Sequence, residues 1–153
     1  MVLPAGARAP EFTLTSSLGE AITLSTALAH RPVALVFFPL AFSGICQGEL
    51  CELRDNIAMF DDARVTLMVV SVDSKWSLRM WAEQMDYHFT LLSDFWPHGE
   101  VARAFDAFRS DTGIASRATV LIDQDGVIRA SFETEPGYAR ELDQYRRALT
   151  TLG

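Results

Sequence analysis

The stretch that decides the fold is Val33-Ala-Leu-Val-Phe-Phe-Pro-Leu-Ala-Phe-Ser-Gly-Ile-Cys-Gln-Gly-Glu-Leu50. It opens with six consecutive apolar residues, the pattern of a strand that is buried on both faces of a sheet. A second, nearly continuous apolar run follows at Val65 to Val72. Strands of this kind are typical of parallel sheets, in which a crossover helix joins one strand to the next. We therefore predict two parallel strands here, from Val33 to Phe38 and from Val65 to Val72.

The segment between these strands has the periodicity of an amphipathic helix. One stripe, at about 100° per residue, holds the apolar side chains of Leu50, Leu53, Ile57 and Phe60. We predict a single helix from Gly44 to Phe60 that crosses between the two strands. Strand, helix and strand together make a βαβ unit.

Two hairpins are predicted outside this unit. Short β-prone runs at Phe12 to Leu14 and Ile22 to Leu24 indicate an N-terminal hairpin at a sheet edge. Two further runs, Ala118 to Ile122 and Val127 to Phe132, flank Gln-Asp-Gly at 124–126, a strong hairpin turn signal. Hairpins are antiparallel, so the sheet is expected to be mixed.

Three more helices complete the predicted α/β fold. They run from about Lys75 to Tyr87, from about Gly99 to Phe108, and from Arg140 to Leu152. Their apolar stripes are interpreted as core, and the first two comprise Trp76, Met80 and Trp81, then Val101, Ala104 and Phe105. No internal repeat, low-complexity segment or linker interrupts the chain. We predict one domain that spans residues 1–153.

Composition excludes several classes of function. The 153 residues are 49% hydrophobic, and 13 Lys and Arg against 20 Asp and Glu give a net charge of −7, which would repel a nucleic-acid backbone. No apolar run approaches the roughly 18 to 20 residues that span a bilayer. The first ten residues lack the apolar stretch of an export signal. We expect a cytoplasmic protein that binds neither nucleic acid nor membrane.

Two cysteines are the first candidates for chemistry. In a reducing compartment such a pair is more often catalytic or redox-active than structural. Their spacing, Cys-x4-Cys, fits no zinc pattern, and the three histidines are far apart. Neither Gly-x-Gly-x2-Gly nor a P-loop occurs. We therefore expect no metal and no nucleotide cofactor.

Cys46 occupies a position suited to a reactive thiol. The chain leaves the first strand, turns at Pro39 and enters the helix with Ser43 as the expected N-cap, so Cys46 falls in the first helical turn. Ligands bind outside the carboxyl ends of such strands, and a helix N-terminus favours a thiolate. However, Cys46 also shares the stripe of Leu50, and free cysteines are among the most buried residues. Position alone leaves a reactive and a structural thiol equally open.

The spacing Pro39-x3-Ser43-x2-Cys46 resembles the active-site motif of peroxiredoxins, Pro-x3-Thr/Ser-x2-Cys. Within that family the chain is most similar to the one-cysteine alkyl hydroperoxide reductase E type. The similar stretches are Phe37 to Leu50, Leu92 to Gly99, Gly113 to Thr119 and, near the start, Gly6 to Thr13. The resemblance covers roughly residues 5–132 and leaves out the C-terminal helix.

The resemblance implies a thioredoxin-like fold and a thiol-dependent peroxidase. Cys46 matches the peroxidatic cysteine, which attacks a hydroperoxide and becomes a sulfenic acid. Pro39 matches a proline that shields the site from water, and Ser43 matches a hydroxyl that bonds the sulfur and the peroxide. Arg117 matches the arginine that holds the thiolate and the peroxide. Glu49 matches a glutamate that orients this arginine.

Cys51 leaves the mechanism open. Its spacing from Cys46 resembles the Q-type (bacterioferritin comigratory protein-like) peroxiredoxins, in which a second cysteine resolves the sulfenic acid. On a regular helix the two side chains lie about 140° apart, so a disulfide requires the first turns to unwind. We expect Cys51 on the face opposite Leu50, beside Asp55, with little to bury. We predict that Cys51 resolves Cys46, and the alternative is a one-cysteine enzyme resolved by an external thiol.

The resemblance also implies partners. The substrates are hydrogen peroxide and organic hydroperoxides, and a thiol reductant supplies electrons, either thioredoxin or a glutaredoxin-like (mycoredoxin) protein with a low-molecular-weight thiol. A homodimer through the active-site face is expected. The aromatic residues Phe95, Trp96 and Phe108 are interpreted as core or interface, with a substrate-lining role as the alternative. A rival from another class is a thioredoxin-fold redox sensor or binding module with little turnover.

Overall fold

A seven-stranded mixed sheet forms the centre of the structure, in a computed structural model that describes residues 1–152. The strands are β1 Thr13–Ser16, β2 Ala21–Thr23, β3 Val33–Phe37, β4 Thr66–Ser71, β5 Thr90–Ser93, β6 Phe108–Arg109, β7 Ile114–Ala115, β8 Arg117–Ile122 and β9 Ile128–Thr134. The helices are α1 Leu24–Leu28, α2 Gly44–Asp55, α3 Ala58–Asp62, α4 Lys75–Met85, α5 Glu100–Ala104 and α6 Leu142–Leu149, followed by a 3₁₀ turn at Thr150–Leu152.

The sheet order is β2-β1-β5-β4-β3-β8-β9, and β6 pairs with β7 in a separate ribbon. Strands β3, β4 and β5 are parallel, whereas β1, β2, β8 and β9 pair antiparallel. This confirms the predicted α/β fold, its mixed sheet, the βαβ unit and both hairpins. The N-terminal hairpin places β2 at the sheet edge, as expected.

Strand β3 separates two apolar layers. Val33, Leu35 and Phe37 face one layer, in which they pack with the N-terminal segment, α1 and α5. The alternate residues Ala34, Val36 and Phe38 face the other layer, which contains Cys46, Leu50, Phe60, Trp81 and Tyr145 and is called the cysteine-side cluster below. Because β3 is buried on both faces, the six apolar residues from Val33 to Phe38 need no alternation.

The prediction of one crossover helix from Gly44 to Phe60 is wrong. The structure has two helices, α2 and α3, and α2 ends at Asp55, because the φ of the next residue, Asn56, is −122° and leaves the helical range. The Asn56 side-chain amide donates to the carbonyl of Glu52 at 2.8 Å, so it competes with the helix for its own backbone acceptor. Phe60 remains buried because α3 continues along the same stripe.

The helix at 75–87 is observed as α4, but two of its predicted core residues lie on the surface. Trp76 is 67% exposed and Met80 is 51% exposed, whereas Trp81 is fully buried together with Leu78. Residues 78 and 81 are three apart and share a face, whereas Trp76 is about 140° away from Trp81 around the helix. In α5 the same kind of error occurs, since Ala102 is buried in place of Ala104.

The C-terminal helix begins at Leu142 and not at the predicted Arg140. Glu141 is its N-cap, and Glu141 and Gln144 form a capping box, with the Glu141 N–H donating to the Gln144 side chain at 2.9 Å. Arg140 is therefore left outside the helix, where its side chain is buried beside α2. Across the described residues, none of the helices has the length and apolar character needed to cross a membrane.

Candidate active site

Cys46 lies in the first turn of α2, beyond the carboxyl end of β3, as the sequence predicts. Its side chain is fully buried in the cysteine-side cluster, next to Leu50 and Leu53. Both cysteines are free thiols. The position on the apolar stripe and the burial both fit a structural thiol. The case for a reactive thiol therefore depends on the polar contacts of the sulfur.

Arg117 supplies such a contact. Its Nη1 donates to Cys46 Sγ at 3.3 Å and to Glu49 Oε1 at 2.7 Å, and its Nε donates to the carbonyl of Pro136 at 3.0 Å. Arg117 is the first residue of β8, which pairs with β3, so its side chain starts level with the end of β3. A guanidinium is a charged donor, and a thiolate is a better acceptor for it than a neutral thiol.

Glu49 is the centre of a buried ionic network that also contains a second arginine, Arg140. Glu49 Oε2 accepts from the backbone N–H of Arg140 at 2.7 Å and from its Nε at 3.0 Å, while Oε1 accepts from Arg140 Nη2 at 3.2 Å. Glu49, Arg117 and Arg140 are all at most 5% exposed. We call these three residues the arginine–glutamate network, and it holds Arg117 as the resemblance implies for Glu49.

Arg140 was missed by the sequence reasoning. Its Nη1 donates to the carbonyl of Ala118 at 2.8 Å and to Thr119 Oγ1 at 3.2 Å, so it fastens the segment before α6 to β8. No motif surrounds it, and an arginine near a helix start is usually a solvated surface residue. Its role depends on α6 packing beside β9, which no local pattern specifies.

The network keeps Glu49 ionised. Burial by itself would raise the pKa of Glu49, but the charge and hydrogen bonds of Arg140, together with the charge of Arg117, outweigh burial and lower this pKa below its usual range. One carboxylate then faces two guanidinium groups. One positive charge is left over beside the sulfur of Cys46.

Pro39 and Ser43 lie between β3 and Cys46, but the Ser43 hydroxyl neither caps the helix nor bonds the sulfur of Cys46. Pro39 is buried and lines a cavity beside Arg117. Ser43 is the N-cap residue by position, yet its hydroxyl caps no backbone N–H and donates to the carbonyl of Leu40 at 3.0 Å. Phe42, with a φ of 67°, closes a tight turn that brings this carbonyl to the hydroxyl. No hydrogen bond joins Ser43 to Cys46 within the described chain.

The cavity beside Arg117 has a volume of about 390 Å³. Its walls include Phe108, Ile114 and Pro136. Phe95 and Trp96, which the sequence interpretation placed in the core or at an interface, are 53% and 82% exposed. A larger cavity of about 600 Å³ lies at the opposite end of the sheet, near the first residues of β4 and β5, and contains no predicted site residue. In residues 1–152 no three His, Cys, Asp or Glu side chains converge where they could hold a metal ion.

The expected surroundings of Cys51 are wrong. Cys51 is half-buried, packs against the cysteine-side cluster, and has its Sγ 3.4 Å from the hydroxyl of Tyr87. The face of α2 opposite Leu50 was expected to be open, but Tyr87, just after α4, covers it. Helix α2 is continuous from Cys46 to Cys51, so a bond between the two sulfurs requires it to unwind.

The fold and these contacts place a buried thiol against a buried arginine at the start of a helix. Comparison with known proteins gives the family: residues 5–131 match the AhpC/TSA family, and the chain belongs to it. "Alkyl hydroperoxide reductase E" of Mycobacterium tuberculosis is 42% identical over 151 residues, which cover 99% of each chain. The chain is thus a peroxiredoxin of the alkyl hydroperoxide reductase E type, as the motif indicates.

More distant relatives are also named as peroxiredoxins or peroxidoxins. "2-cysteine peroxiredoxin, chloroplastic" of Chattonella marina var. antiqua is 30% identical over 163 residues, covering 99% of this chain and 82% of that protein. The crystal structure of peroxidoxin BcpB from Mycobacterium tuberculosis superposes with a TM-score of 0.86 at 28% identity, covering 98% of this chain and 96% of the other. The thioredoxin-like fold is therefore confirmed, and the protein is a thiol-dependent peroxidase.

The arginine–glutamate network leads to a prediction about stability and pH. Glu49→Gln leaves two buried arginines without their shared carboxylate, so we expect the free energy of unfolding at pH 7 to fall by about 3 to 5 kcal/mol. The pKa of Glu49 is lowered by folding, so its contribution is fully present above the unfolded pKa of about 4.3 and is lost as the pH falls through the lower folded value. The difference between wild type and variant should therefore shrink in acid.

Urea unfolding between pH 7 and pH 3 measures this difference. Glu52→Gln is the matched control, because Glu52 lies on the same helix but is exposed, and it should change stability by less than about 0.5 kcal/mol. A Glu49→Gln variant as stable as wild type at pH 7, or a difference that grows towards acid, would contradict the role of the network.

Proposed function

We propose that Cys46 is the peroxidatic residue of this peroxidase and that it reduces hydrogen peroxide and organic hydroperoxides. The observation that carries the proposal is the 3.3 Å hydrogen bond from Arg117 to Cys46 Sγ inside the arginine–glutamate network. An inert buried thiol needs no charged donor. Burying two arginines costs several kcal/mol per ion unless negative groups compensate their charges. A thiolate at Cys46 uses the positive charge that Glu49 leaves uncompensated.

In the proposed reaction the Cys46 thiolate attacks the outer oxygen of the hydroperoxide. The O–O bond breaks, the sulfur becomes a sulfenic acid, and the inner oxygen leaves as water or an alcohol after it takes a proton. Negative charge develops on the leaving oxygen, so donors aimed at it lower the barrier, each by about 2.7 to 4 kcal/mol in sites of the oxyanion type.

Arg117 can supply these donors. Its Nε and Nη1 are engaged with Pro136, Cys46 and Glu49, whereas no protein acceptor among residues 1–152 takes a hydrogen bond from its Nη2. Two N–H groups are thus left for the peroxide. The 390 Å³ cavity that Arg117 lines gives room for the organic group of a larger hydroperoxide.

Pro39 and Ser43 complete the proposed site. Pro39 has no N–H that would be left unpaired in a water-poor site, and its burial in the cavity wall supports a shielding role. Ser43 bonds the peroxide and the sulfur only after its hydroxyl leaves the carbonyl of Leu40, which one rotation about its side-chain bond achieves. Glu49 acts through Arg117 and is a positioning residue.

We further propose that Cys51 resolves the sulfenic acid. The first turns of α2 would have to unwind, and two features make this less costly. The Ser43 side chain caps no N–H of the helix, and glycine at 44 and 48 is about 1 kcal/mol per residue less favourable than alanine inside a helix. A thiol reductant then restores both thiols, and we propose thioredoxin or a glutaredoxin-like (mycoredoxin) protein with a low-molecular-weight thiol.

Exposed apolar side chains support the proposed homodimer. They follow the carboxyl ends of the three parallel strands: Leu40, Phe42 and Ile45 after β3, Trp76 and Met80 after β4, and Phe95 and Trp96 after β5. Because the carboxyl ends of parallel strands meet at one edge of the sheet, these side chains share the end of the molecule that holds Cys46. Concentrated exposed apolar surface marks an interface, and a second copy of this chain is the proposed occupant.

The role of Arg117 is tested by Arg117→Lys. Lysine offers one hydrated point charge where the planar guanidinium reaches the sulfur, Glu49 and the peroxide together. We expect the second-order rate constant with hydrogen peroxide to fall at least about tenfold, the loss of one charge-assisted hydrogen bond of about 1.5 to 3 kcal/mol. Stopped-flow measurement of thiol consumption gives this constant. Cys46→Ser is the inactive control, since a hydroxyl is not ionised at neutral pH.

The matched control is Arg146→Lys, the same change at an exposed position on α6, which should leave the rate unchanged. Equal rates for Arg117→Lys and wild type would remove Arg117 from the site. Substantial turnover by Cys46→Ser would remove Cys46. Turnover of wild type with a dithiol at a negligible rate would favour a redox sensor over an enzyme.

The role of Cys51 is tested by adding one equivalent of peroxide to the reduced protein. Wild type should lose two thiols and form a Cys46–Cys51 disulfide, whereas Cys51→Ser should stop at a sulfenic acid that overoxidises readily. Mass spectrometry separates the products, because the sulfenic acid adds an oxygen and the disulfide removes two hydrogens. Accumulation of sulfenic acid in wild type with Cys51 still free would make the protein a one-cysteine enzyme resolved by an external thiol.

The proposed dimer is tested by Trp76→Glu. Trp76 is 67% exposed on α4, and a charge there should disfavour burial against a second copy without disturbing the core. Sedimentation velocity should give wild type a mass twice that of the 17.0 kDa chain and the variant the mass of one chain. Leu18→Glu, at an equally exposed position at the opposite end of the sheet, is the control and should remain a dimer. A monomeric wild type at tens of micromolar would refute the proposal.

A further inference from the structure

The helical turn between the two cysteines is fastened to α4 and the residues that follow it. Gln47, the residue after Cys46, is held twice: Trp81 Nε1 donates to its side-chain oxygen at 3.1 Å, and the Tyr87 hydroxyl donates to its backbone carbonyl at 3.3 Å. The Tyr87 hydroxyl also lies 3.4 Å from Cys51 Sγ. Tyr87 thus contacts both ends of the turn that separates Cys46 from Cys51.

The acceptor that Tyr87 uses is part of the helix itself. In the continuous α2 the carbonyl of Gln47 accepts the backbone N–H of Cys51, four residues later. The same carbonyl therefore holds Cys51 through the backbone and Tyr87 through its hydroxyl. This is the helical bond that must break before Cys51 can approach Cys46, because five helical residues keep their α-carbons beyond disulfide reach.

Hydrogen-bond accounting assigns the proton between Tyr87 and Cys51. A phenol has one proton, and Tyr87 gives it to the carbonyl of Gln47. The contact with Cys51 therefore needs the thiol proton, with Cys51 as donor and the phenol oxygen as acceptor. Burial raises the pKa of Tyr87 well above its usual range, so the phenol stays protonated. In the folded helix the sulfur of Cys51 is therefore engaged as a hydrogen-bond donor to the phenol oxygen.

Packing sets the direction of the Tyr87 hydroxyl. The ring is 5% exposed, meets Trp81 edge-to-face with centroids 5.2 Å apart, and stacks on Phe89 at 5.2 Å. These contacts belong to the ring and not to the hydroxyl. Tyr87→Phe therefore removes the two polar contacts and leaves the aromatic packing in place.

We infer that Tyr87 is a positioning residue for the resolving thiol. Its hydroxyl holds Cys51 and the carbonyl of Gln47 in the helical conformation until the turn between the cysteines opens, and we call these two contacts the clamp. The inference rests on the proposed role of Cys51. When the turn opens, Cys51 Sγ attacks Cys46 Sγ, the S–O bond of the sulfenic acid breaks, and the oxygen leaves as water with the thiol proton of Cys51. The sulfenic sulfur is reduced as the Cys51 sulfur is oxidised, and one disulfide forms.

The first experiment tests the clamp without any peroxide. In a Cys46→Ser background Cys51 is the only thiol, and its rate of reaction with an aromatic disulfide reagent reports opening of the turn. Adding Tyr87→Phe should raise this rate about two- to fivefold, the scale of losing long, weak hydrogen bonds. Tyr138→Phe is the matched control, because Tyr138 is 71% exposed and the same chemical change there should have no effect. Equal reaction rates with and without the Tyr87 hydroxyl would overturn the inference.

The second experiment follows the reaction with both cysteines present. Tyr87→Phe should leave the rate of sulfenic acid formation within twofold of wild type, raise the rate of disulfide formation about two- to fivefold, and lower the fraction overoxidised at high peroxide. A variant that is destabilised elsewhere in the fold, with α2 and its contacts intact, would not shift this division between disulfide and sulfinic acid.

The two experiments distinguish failure of the Tyr87 inference from failure of the proposed resolution by Cys51. Faster labelling of Cys51 in Tyr87→Phe, with no disulfide formed in any variant, would keep the clamp and refute resolution by Cys51. Disulfide formation in wild type, with rates unchanged in Tyr87→Phe in both assays, would keep resolution by Cys51 and refute the clamp.

Discussion

The buried carboxylate of Glu49 is the interaction on which the rest of the site depends. It accepts hydrogen bonds from two arginines that come from distant parts of the chain, one on β8 and one before α6. At close range such a pair attracts by roughly 4 kcal/mol at an effective dielectric constant of about 20, while each buried ion costs several kcal/mol in lost hydration. The network therefore adds little net stability. Its effect is to hold a positive charge at one place in an apolar layer.

That charge is the basis for the proposed reactivity of a fully buried cysteine. The side chains around Cys46 are apolar, and Arg117 is the charged donor that reaches its sulfur, at 3.3 Å. Arg117 cannot turn away, because Glu49 and the carbonyl of Pro136 hold two of its nitrogens. Preorganisation of this kind means that the donor does not have to be reoriented during the reaction. The same rigidity makes Arg117 hard to replace by lysine.

Helix α2 is subject to two opposing requirements. It must be folded to place Cys46 against Arg117, and in the proposed cycle it must open to bring Cys51 within reach. Its start carries no side-chain cap and two glycines, which weaken it, whereas Trp81 and Tyr87 tie its second turn to α4 and the residues after it. In that proposed cycle, the balance of these contacts sets how long the sulfenic acid persists before Cys51 reacts with it. Local stability in this segment is thus part of the chemistry and not only of the fold.

Much of the fold follows from local pattern. Continuous apolar runs identify β3 and β4, the turn at 124–126 identifies the β8–β9 hairpin, and the motif Pro39, Ser43, Cys46 with Arg117 identifies the family. Errors occur where a side chain competes with the helix, as Asn56 does, or where a helix turns a large residue outward, as α4 does with Trp76. Periodicity identifies an apolar face but does not say how wide that face is.

The sequence by itself determined the βαβ unit, the two hairpins and the class of chemistry, because these depend on neighbours along the chain. Only the tertiary structure decided that Arg140 completes the ionic network and that Tyr87 covers Cys51. Each of these contacts depends on the distance between atoms, and for Arg140 and Tyr87 the partners lie 91 and 36 residues apart in the chain. Such distances are set by how helices pack on the sheet. No local pattern of residues carries that information.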